Sequence, residues 1–265
     1  MPGDPQTVES DPVRYDRIGD HVALVTLNRP QKRNAINAAV TEALERIVRA
    51  TEADREIRAV ILTSCDDRVF CAGADLATVA SGGGKAIETA DGGFAGLVYA
   101  KRLKPWIAAV EGMALAGGCE ICLACDMIVA SENARFALPE VKRGLVAGGG
   151  GVHRLPAVLP RNVALEMIAT GEPLDAARAY ACGLVNRLTK PGETLAAARA
   201  LADAIAANAP VAVQQSLVAA RRAGGLSEAE ARVIVAEAVA KACQSEDYRE
   251  GPRAFLEKRA PVWKG

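Results

Sequence analysis

The chain has 265 residues, of which 24% are charged, and its 32 Lys and Arg residues balance its 32 Asp and Glu residues. This length can bury a full core without disulfide or metal cross-links, in one large domain or in a domain with a smaller appendage. Because the charge is balanced, we expect neither a nucleic acid nor a membrane surface as a partner.

The cysteines and the start of the chain indicate the compartment. Seven cysteines are scattered through mostly apolar runs, where a thiol behaves as a small hydrophobic group, so we expect a reducing, cytoplasmic location. Residues 1–12 resemble neither a signal peptide nor a transit peptide, and we expect a loose tail. Glu111, Glu120 and Asp126 interrupt the longest apolar region, so no membrane helix is predicted.

The first 63 residues predict strands around a helix. Residues 13–18 and 22–27 flank Gly19-Asp20, which is typical of a hairpin closed by a tight turn. Asn37 is a good helix N-cap, and the apolar residues after it recur at helical spacing. Residues 59–63 are continuously apolar, as in a buried parallel strand.

The middle of the chain repeats this alternation. Residues 82–93 are rich in glycine and without periodicity, which predicts a mobile loop. We expect a helix from there to about residue 103, a strand over 106–110, a helix opened by Gly117 that runs through Cys125, and a strand over 127–130. Successive strand and helix units favour an α/β layered fold.

The character of the sequence changes after Leu188. Residues 194–208, 211–223 and 227–242 are alanine-rich segments that predict three helices, and residues 250–259 predict a short basic helix. We therefore expect a core over residues 1–192 and a helical region over 193–265.

Two glutamates lie in apolar surroundings. Glu120 follows Gly117-Gly118-Cys119, and Glu140 follows Leu138-Pro139. A carboxylate costs several kcal/mol to desolvate, so such a pair suggests acids and bases whose pKa values are shifted toward neutrality. The plainer interpretations are a helix-start glutamate for Glu120 and, for Glu140, a loop carboxylate paired with Lys142 or Arg143.

Two glycine turns precede these glutamates in the chain. Gly73 allows the backbone to approach a ligand closely, and Gly117 places a free amide at a helix N-terminus, where the dipole favours negative charge. Two such donors can form an oxyanion hole. Either turn alone could equally well only redirect the chain, and only the combination with the glutamates favours a catalytic role.

Together these residues resemble the crotonase, or enoyl-CoA hydratase/isomerase, superfamily. The resemblance covers nearly the whole chain and depends on the order and spacing of several short motifs. They are Asn28-Arg29-Pro30, Asn34-Ala35, Ala72-Gly73-Ala74-Asp75, Gly117-Gly118-Cys119-Glu120, Pro139-Glu140 and Glu250-Gly251-Pro252 with Phe255 and Glu257-Lys258-Arg259.

The resemblance implies an α/β crotonase-like ββα spiral with a helical C-terminal trimerisation part, assembled as a homotrimer or homohexamer. It implies that the amides of Ala74 and Gly117 hold the thioester oxygen of an acyl-CoA. Glu120 would act as the base on the attacking water, and Glu140 would deliver a proton to the carbon next to the carbonyl. Gly148 matches the glycine whose amide helps to hold the water.

The resemblance also implies how CoA binds. CoA is part of the substrate, and no separate cofactor or metal is implied. The expected CoA-binding residues are Lys32, Arg33, Ala35, Ala72, Asp75 and Leu76, with the adenine near Ala74 to Leu76. Phe255 and Lys258 would reach the nucleotide of a neighbouring subunit. The family often has a lysine at the position of Ala77, so one contact to phosphate or adenine is weakened.

One segment departs from the family pattern. Proline is usual where Ala147 stands, and threonine-glutamine is usual where Val152-His153 stand. The departure affects the shape of the acyl pocket more than the chemistry, and we interpret His153 as a structural substitution and not as a catalytic base.

Three apparent cofactor-binding or nucleotide-binding motifs lack the residues that such sites require. Cys119, Cys122 and Cys125 lack the fourth cysteine of an iron–sulfur run. Residues 82–85 lack the upstream glycine and the following Ser or Thr of a P-loop, and residues 148–151 lack the last glycine of a dinucleotide fingerprint.

We therefore predict an enoyl-CoA hydratase, since family isomerases can operate with one acid and both are present here. Similarity over residues 93–97, 138–140 and 261–265 makes a carnitinyl-CoA (crotonobetainyl-CoA) hydratase the second hypothesis. Two further hypotheses are an isomerase and an RNA-binding protein of the same fold without a primary enzymatic role.

Overall fold

The computed structural model describes residues 11–265, so the tail expected over residues 1–12 lies almost entirely outside the described residues. Groups of strands are separated by helices up to residue 189, and only helices follow. The strands are β1 (Val13–Ile18), β2 (Val22–Leu27), β3 (Ala59–Ser64), β4 (Val69–Cys71), β5 (Glu88–Thr89), β6 (Gly93–Phe94), β7 (Trp106–Val110), β8 (Met113–Leu115), β9 (Met127–Ser131), β10 (Arg135–Ala137), β11 (Leu174–Asp175) and β12 (Arg187–Thr189).

The helices account for most of the second half of the chain. They are α1 (Ala38–Ala53), α2 (Leu76–Ala80), α3 (Gly117–Ala124), α4 (Gly151–Val158), α5 (Arg161–Thr170), α6 (Ala176–Ala181), α7 (Thr194–Ala206), α8 (Pro210–Ala223), α9 (Glu228–Cys243) and α10 (Asp247–Leu256). Short 3₁₀ helices span Pro30–Lys32, Gly83–Ile87 and Pro139–Arg143.

The main sheet has six strands in the order β1-β2-β3-β7-β9-β12. Strands β1 and β2 form the expected antiparallel hairpin, with Val13 opposite Leu27, and the remaining neighbours are parallel. Both faces of the sheet are covered, because Val60 and Leu62 join one buried apolar cluster while Ile61 and Ile107 join another. This explains why residues 59–63 are continuously apolar.

A second sheet positions the site and was not foreseen from the sequence. It has four strands in the order β11-β10-β8-β4, in which β8 is parallel to both β4 and β10. These strands have two or three residues each, too few for an alternation of apolar and polar residues to be recognised.

Several boundaries differ from the expectations. The helix expected up to residue 103 is wrong, because residues 95–99 form turns and β5 pairs with β6 in a small hairpin. The glycine-rich stretch before it contains the 3₁₀ helix Gly83–Ile87. The last helix begins at Asp247, three residues before the predicted start at Glu250.

The three alanine-rich helices are confirmed. Helix α7 packs on the main sheet through Ala198 and Ala202, whereas α8 and α9 pack against each other. Ser227 starts α9 with a reciprocal capping box to Glu230. The domain boundary expected between residues 192 and 193 stays a prediction. Helix α7, which lies after that boundary, shares a buried apolar cluster with the main sheet.

No single helix in residues 11–265 is both long and apolar enough to cross a membrane. Helices α7 and α8 satisfy length and composition only as a pair, with a 108° bend between them.

Candidate active site

Three parallel strands of the second sheet deliver the predicted motifs to one place. Ala72–Asp75 follows β4, Ala116 and α3 follow β8, and Glu140 follows β10 by way of Leu138-Pro139. Because β4, β8 and β10 are parallel neighbours, their carboxyl ends meet at one edge of the sheet, where ligands of α/β proteins commonly bind.

The two glycine turns are in direct contact. A Cβ atom added to Gly73 would lie 2.9 Å from the amide nitrogen of Gly117, so only glycine permits this approach. Gly73 has φ +90°, a left-handed conformation that glycine adopts without steric cost. Residues 73–75 are fixed further by backbone hydrogen bonds between Ile36 and Gly73 and between Asp75 and Ile36, both 2.8 Å.

Ala116 supplies the turn into α3. It has φ 51° and ψ −127°, which is a strained conformation for a residue with a side chain, and its amide is held by the carbonyl oxygen of Ala137 at 2.9 Å. Gly117 is the first residue of α3, where amides have no partner within the helix. Gly117 itself lines the cavity, so its amide is a candidate donor to a ligand there.

Glu120 lies on the first turns of α3 and is 4% exposed. Its Oε1 accepts a 2.9 Å hydrogen bond from the amide of Gly151, 31 residues further along the chain. Burial raises the pKa of Glu120 to about 7, with a contribution from the nearby charge of Glu140, while the backbone of Gly151 and Gly149 and the cation of Arg154 oppose the rise. Glu120 is therefore more than a helix-start carboxylate.

Glu140 lies in the 3₁₀ helix after β10 and is partly buried. Burial raises the pKa of this carboxyl group, and the charge of Arg143 lowers it to a smaller extent. Its Oε2 atom is buried and has no hydrogen-bond partner among the described residues. Lys142, one of the two partners considered for it, is instead paired with Glu172 at 2.6 Å. The Glu140 carboxyl is thus available to a ligand.

Both glutamates line one cavity of about 970 Å³. Most of the residues predicted to bind substrate line the same cavity. These are Lys32, Arg33, Ala35, Ala72, Ala74, Asp75, Leu76, Gly117 and Gly148. The structure therefore brings most of the predicted site residues to one cavity, and the roles assigned to them stay predictions.

Two of the predicted CoA-binding residues lie elsewhere. Phe255 is 82% exposed at the end of α10, Lys258 follows it, and neither lines the cavity. This position is compatible with the contact predicted to a neighbouring subunit. Asp75 lines the cavity, but its carboxylate also caps α2 through the amide of Ala77 and pairs with Arg29 at 3.4 Å.

Sequence reasoning missed the backbone that surrounds Glu120. A Cβ atom on Gly149 would lie 2.6 Å from Glu120 Oε2, and Gly151 donates to Oε1, whereas Gly148 is the residue that was singled out. The run of four glycines was the available signal, because one of them, Gly149, leaves the space beside the buried carboxylate free of a side chain.

Three further residues considered from the sequence, His153, Cys119 and Cys122, do not line the cavity. His153 is exposed on α4, stacks on Tyr99 with ring centroids 6.3 Å apart, and does not line the cavity. Cys119 and Cys122 are buried free thiols, and burial raises the pKa of each. Within residues 11–265, no group of three or more His, Cys, Asp or Glu side chains could hold a metal ion.

Comparisons with known sequences agree on one family. A family model described as enoyl-CoA hydratase/isomerase matches residues 17–265. A carnitinyl-CoA dehydratase of Proteus mirabilis is 42% identical over 246 residues, which cover 91% of this chain and 94% of that protein. A carnitinyl-CoA dehydratase of Salmonella typhi matches with the same identity and coverage.

Solved structures give the same result. An enoyl-CoA hydratase from Mycobacterium tuberculosis H37Rv superposes with a TM-score of 0.92 at 41% identity, covering 97% of this chain and 100% of that one. A carnitinyl-CoA hydratase from Mycobacterium avium superposes with a TM-score of 0.78 at 45% identity, covering 96% and 99%.

Proposed function

The chain belongs to the enoyl-CoA hydratase/isomerase family, and from this premise we propose that it reversibly adds water across the 2,3 double bond of an enoyl-CoA thioester. One observation carries the proposal. The carboxyls of Glu120 and Glu140 line the same cavity as Ala74 and Gly117, whose turns touch each other. An acid, a base and oxyanion donors then surround one substrate.

Glu120 is the proposed base. Its carboxylate accepts a proton from water while the water oxygen bonds to C3 of the enoyl group. The electron pair of the double bond moves toward the thioester, and negative charge develops on the carbonyl oxygen. A carboxyl whose pKa lies near 7 can accept and release a proton at neutral pH with little penalty.

The amides of Ala74 and Gly117 are the proposed oxyanion hole. They donate to the carbonyl oxygen and stabilise the enolate formed when the hydroxyl group has been added. Loss of one such donor typically costs roughly 2.7 to 4 kcal/mol of transition-state stabilisation. The dipole of α3 adds to this stabilisation because Gly117 begins the helix.

Glu140 is the proposed acid. It donates its proton to C2 of the enolate, which restores the thioester and completes the hydroxyacyl product. Glu120 is then protonated and Glu140 is ionised, and proton exchange with solvent returns the pair to its starting state. The reverse sequence dehydrates the product. The unpartnered Oε2 of Glu140 supports this role, since no described protein group competes for it.

A carnitinyl-CoA hydratase is the second candidate for the acyl group. Glu88 and Phe94 are paired across the β5–β6 hairpin, and both line the cavity. A carboxylate and an aromatic face both attract a quaternary ammonium group. The names of the Proteus and Salmonella relatives favour the same acyl group.

We propose a homotrimer or homohexamer in the cytoplasm. The exposed Phe255 and Lys258 would then contact the CoA nucleotide of a neighbouring subunit, while Lys32, Arg33 and Ala35 contact it from the same chain. Light scattering after size-exclusion chromatography measures the assembly. A monomer that hydrates enoyl-CoA with full activity would contradict the proposed contact between subunits.

The function is tested with a panel of thioesters from crotonyl-CoA to long-chain enoyl-CoA, including crotonobetainyl-CoA, by loss of the conjugated absorbance. Glu120→Gln and Glu140→Gln should each lower turnover by about 10² to 10⁴. Exposed Glu132 provides the control Glu132→Gln, which should keep full activity. Full activity in either active-site variant would refute the mechanism.

The same panel separates the competing hypotheses. Double-bond migration without water addition, persisting in Glu120→Ala, would identify an isomerase. Glu88→Gln should impair crotonobetainyl-CoA and spare crotonyl-CoA if the acyl group is cationic. Tight RNA binding without turnover of any thioester would reverse the proposal in favour of the binding protein.

A further inference from the structure

The carboxylate of Glu120 is contacted by a backbone segment made only of glycines. Gly148 to Gly151 form a run of four glycines, and Gly151 donates to Glu120 Oε1 at 2.9 Å. Gly149 lies so close to Glu120 Oε2 that a Cβ atom there would be 2.6 Å away. Glycine backbone is intrinsically free to adopt many conformations, so other residues must hold this segment in place.

Two side chains hold the carbonyl groups of this run. The hydroxyl of Tyr99 donates to the carbonyl oxygen of Gly148 at 3.1 Å. Nη1 of Arg154 donates to the carbonyl oxygen of Gly149 at 3.2 Å, and Nη2 donates to that of Val98 at 2.5 Å. The two side chains also contact each other, because the Arg154 guanidinium lies 5.0 Å from the centre of the Tyr99 ring.

Tyr99 also connects this segment to the β5–β6 hairpin. Its ring packs on Gly93, where an added Cβ atom would lie 2.3 Å from Tyr99 Cδ2. The next residue, Phe94, packs on Gly117, so closely that a Cβ atom there would be 2.4 Å from the ring. One aromatic side chain therefore touches both the hairpin beside the oxyanion turn and the backbone beside Glu120.

We propose that Tyr99 and Arg154 are positioning residues that hold the Gly148–Gly151 backbone and, through it, the carboxylate of Glu120 in the geometry required for attack by water. The role in hydration rests on the proposed function. The positioning of Glu120 itself does not, since it follows from contacts within the protein.

Charge adds a second effect of Arg154. The charged or titratable groups that act on Glu120 are Glu140, which raises its pKa, and Arg154, which lowers it; the buried Cys119 thiol lies next to it in α3. Around Arg154 itself are Tyr99, Arg102, Cys125 and Glu120. Loss of the Arg154 cation therefore shifts the Glu120 pKa upward.

The test compares Tyr99→Phe, Arg154→Lys and Arg154→Met with the control Tyr180→Phe, whose ring is 51% exposed on α6. Tyr99→Phe removes one hydrogen bond and keeps the ring, so kcat for crotonyl-CoA should fall by about 2- to 10-fold with KM unchanged. Arg154→Met should lower kcat further and move the pH profile upward. Arg154→Lys should restore the pH profile but not kcat, because an ammonium group keeps the charge without the planar fork.

A second measurement does not need turnover. The Glu120 carboxyl is titrated by infrared difference spectroscopy, with Glu120→Gln used to assign its band. A displaced or broadened Glu120 band in Tyr99→Phe and Arg154→Lys, which both keep the local charge, supports the proposal even if no thioester is hydrated, in which case the proposed function alone fails. If Tyr99→Phe and Arg154→Lys match Tyr180→Phe both in kcat and in the Glu120 band, the positioning role is refuted.

Stability could obscure the result for Arg154→Met. Should that variant fail to fold, Tyr99→Phe decides, because it leaves the packing on Gly93 in place. A fold-intact Tyr99→Phe with wild-type kcat overturns the proposal.

Discussion

The amide nitrogen of Gly151 lies 2.9 Å from Oε1 of Glu120 and donates a hydrogen bond to it. This bond joins the first residue of α4 to the middle of α3. It gives the carboxylate a protein hydrogen-bond donor in place of water. One such bond does not offset the loss of hydration, since burial raises the pKa of Glu120 to about 7. The ionisation of this carboxyl and the geometry of the turns beside it can both be probed by single substitutions.

Glu120→Gln should stabilise the protein at alkaline pH. Because the folded-state pKa lies above the ordinary value of 4.5, the favourable contribution of the carboxyl is complete below about pH 4.5 and is lost as the pH rises to about 7. That interval corresponds to about 3 kcal/mol. The free energy of unfolding of Glu120→Gln relative to wild type should therefore be larger at pH 8 than at pH 5, by up to that amount.

Urea unfolding at the two pH values measures the difference. The control Glu132→Gln changes an exposed carboxylate and should show no such dependence. An equal effect of Glu120→Gln at both pH values would show that the carboxyl has an ordinary pKa.

Hydration should have a bell-shaped pH dependence. The proposed chemistry needs one proton on the pair, with Glu120 ionised and Glu140 protonated. Because the two carboxyls interact, the acid and alkaline limits of the profile belong to the pair, and the value of about 7 for Glu120 places the alkaline limit near neutrality. The logarithm of kcat/KM should fall above about pH 7 and fall again at acid pH, where both carboxyls are protonated. A profile that rises to a plateau at high pH would require both carboxyls to be ionised.

Gly149→Ala should impair catalysis far more than Gly148→Ala. A Cβ atom at Gly149 would lie 2.6 Å from Glu120 Oε2, so the carboxylate must move, whereas the nearest atom to a Cβ at Gly148 is 3.9 Å away. We expect a loss in kcat of more than about 10-fold for Gly149→Ala, equivalent to roughly 1.4 kcal/mol. Steady-state kinetics of the two neighbouring variants tests this, and equal activities would contradict the close contact.

Gly73→Ala should disrupt the oxyanion turn. Its Cβ would lie 2.9 Å from the Gly117 amide nitrogen, at a φ of +90°. Gly183 is a matched control, since it has φ +88° and no atom within 4 Å of an added Cβ. Both substitutions should cost about 1 kcal/mol of stability or somewhat more from backbone strain.

Only Gly73→Ala should also lose turnover, by about 10² to 10³ if one oxyanion donor is displaced. Thermal unfolding and kcat measured on the same preparations separate strain from function. Similar loss of turnover in Gly183→Ala would mean that strain alone explains the effect.

The sequence predicted those parts of the fold that have a local signal. The hairpin around Gly19-Asp20 and the N-cap Asn37 are confirmed, because turn chemistry and helical spacing act over a few residues. Family and function were predicted from motif order, and the family is confirmed by the match over residues 17–265. The helix expected before residue 103 was wrong, because residues 95–99 form turns in which Leu97 and Val98 are buried, so apolar residues there reach the core without a helix.

The sequence by itself determined which residues carry the chemistry: two glutamates in apolar runs and two glycine turns. Only the tertiary structure decided that they meet, because β4, β8 and β10 are too short to be recognised and acquire their parallel order through long-range pairing. It also decided the environment of Glu120. Burial, the Gly151 amide and the Arg154 cation come from segments distant in sequence, and their opposing effects on one pKa depend on distances that no local pattern encodes.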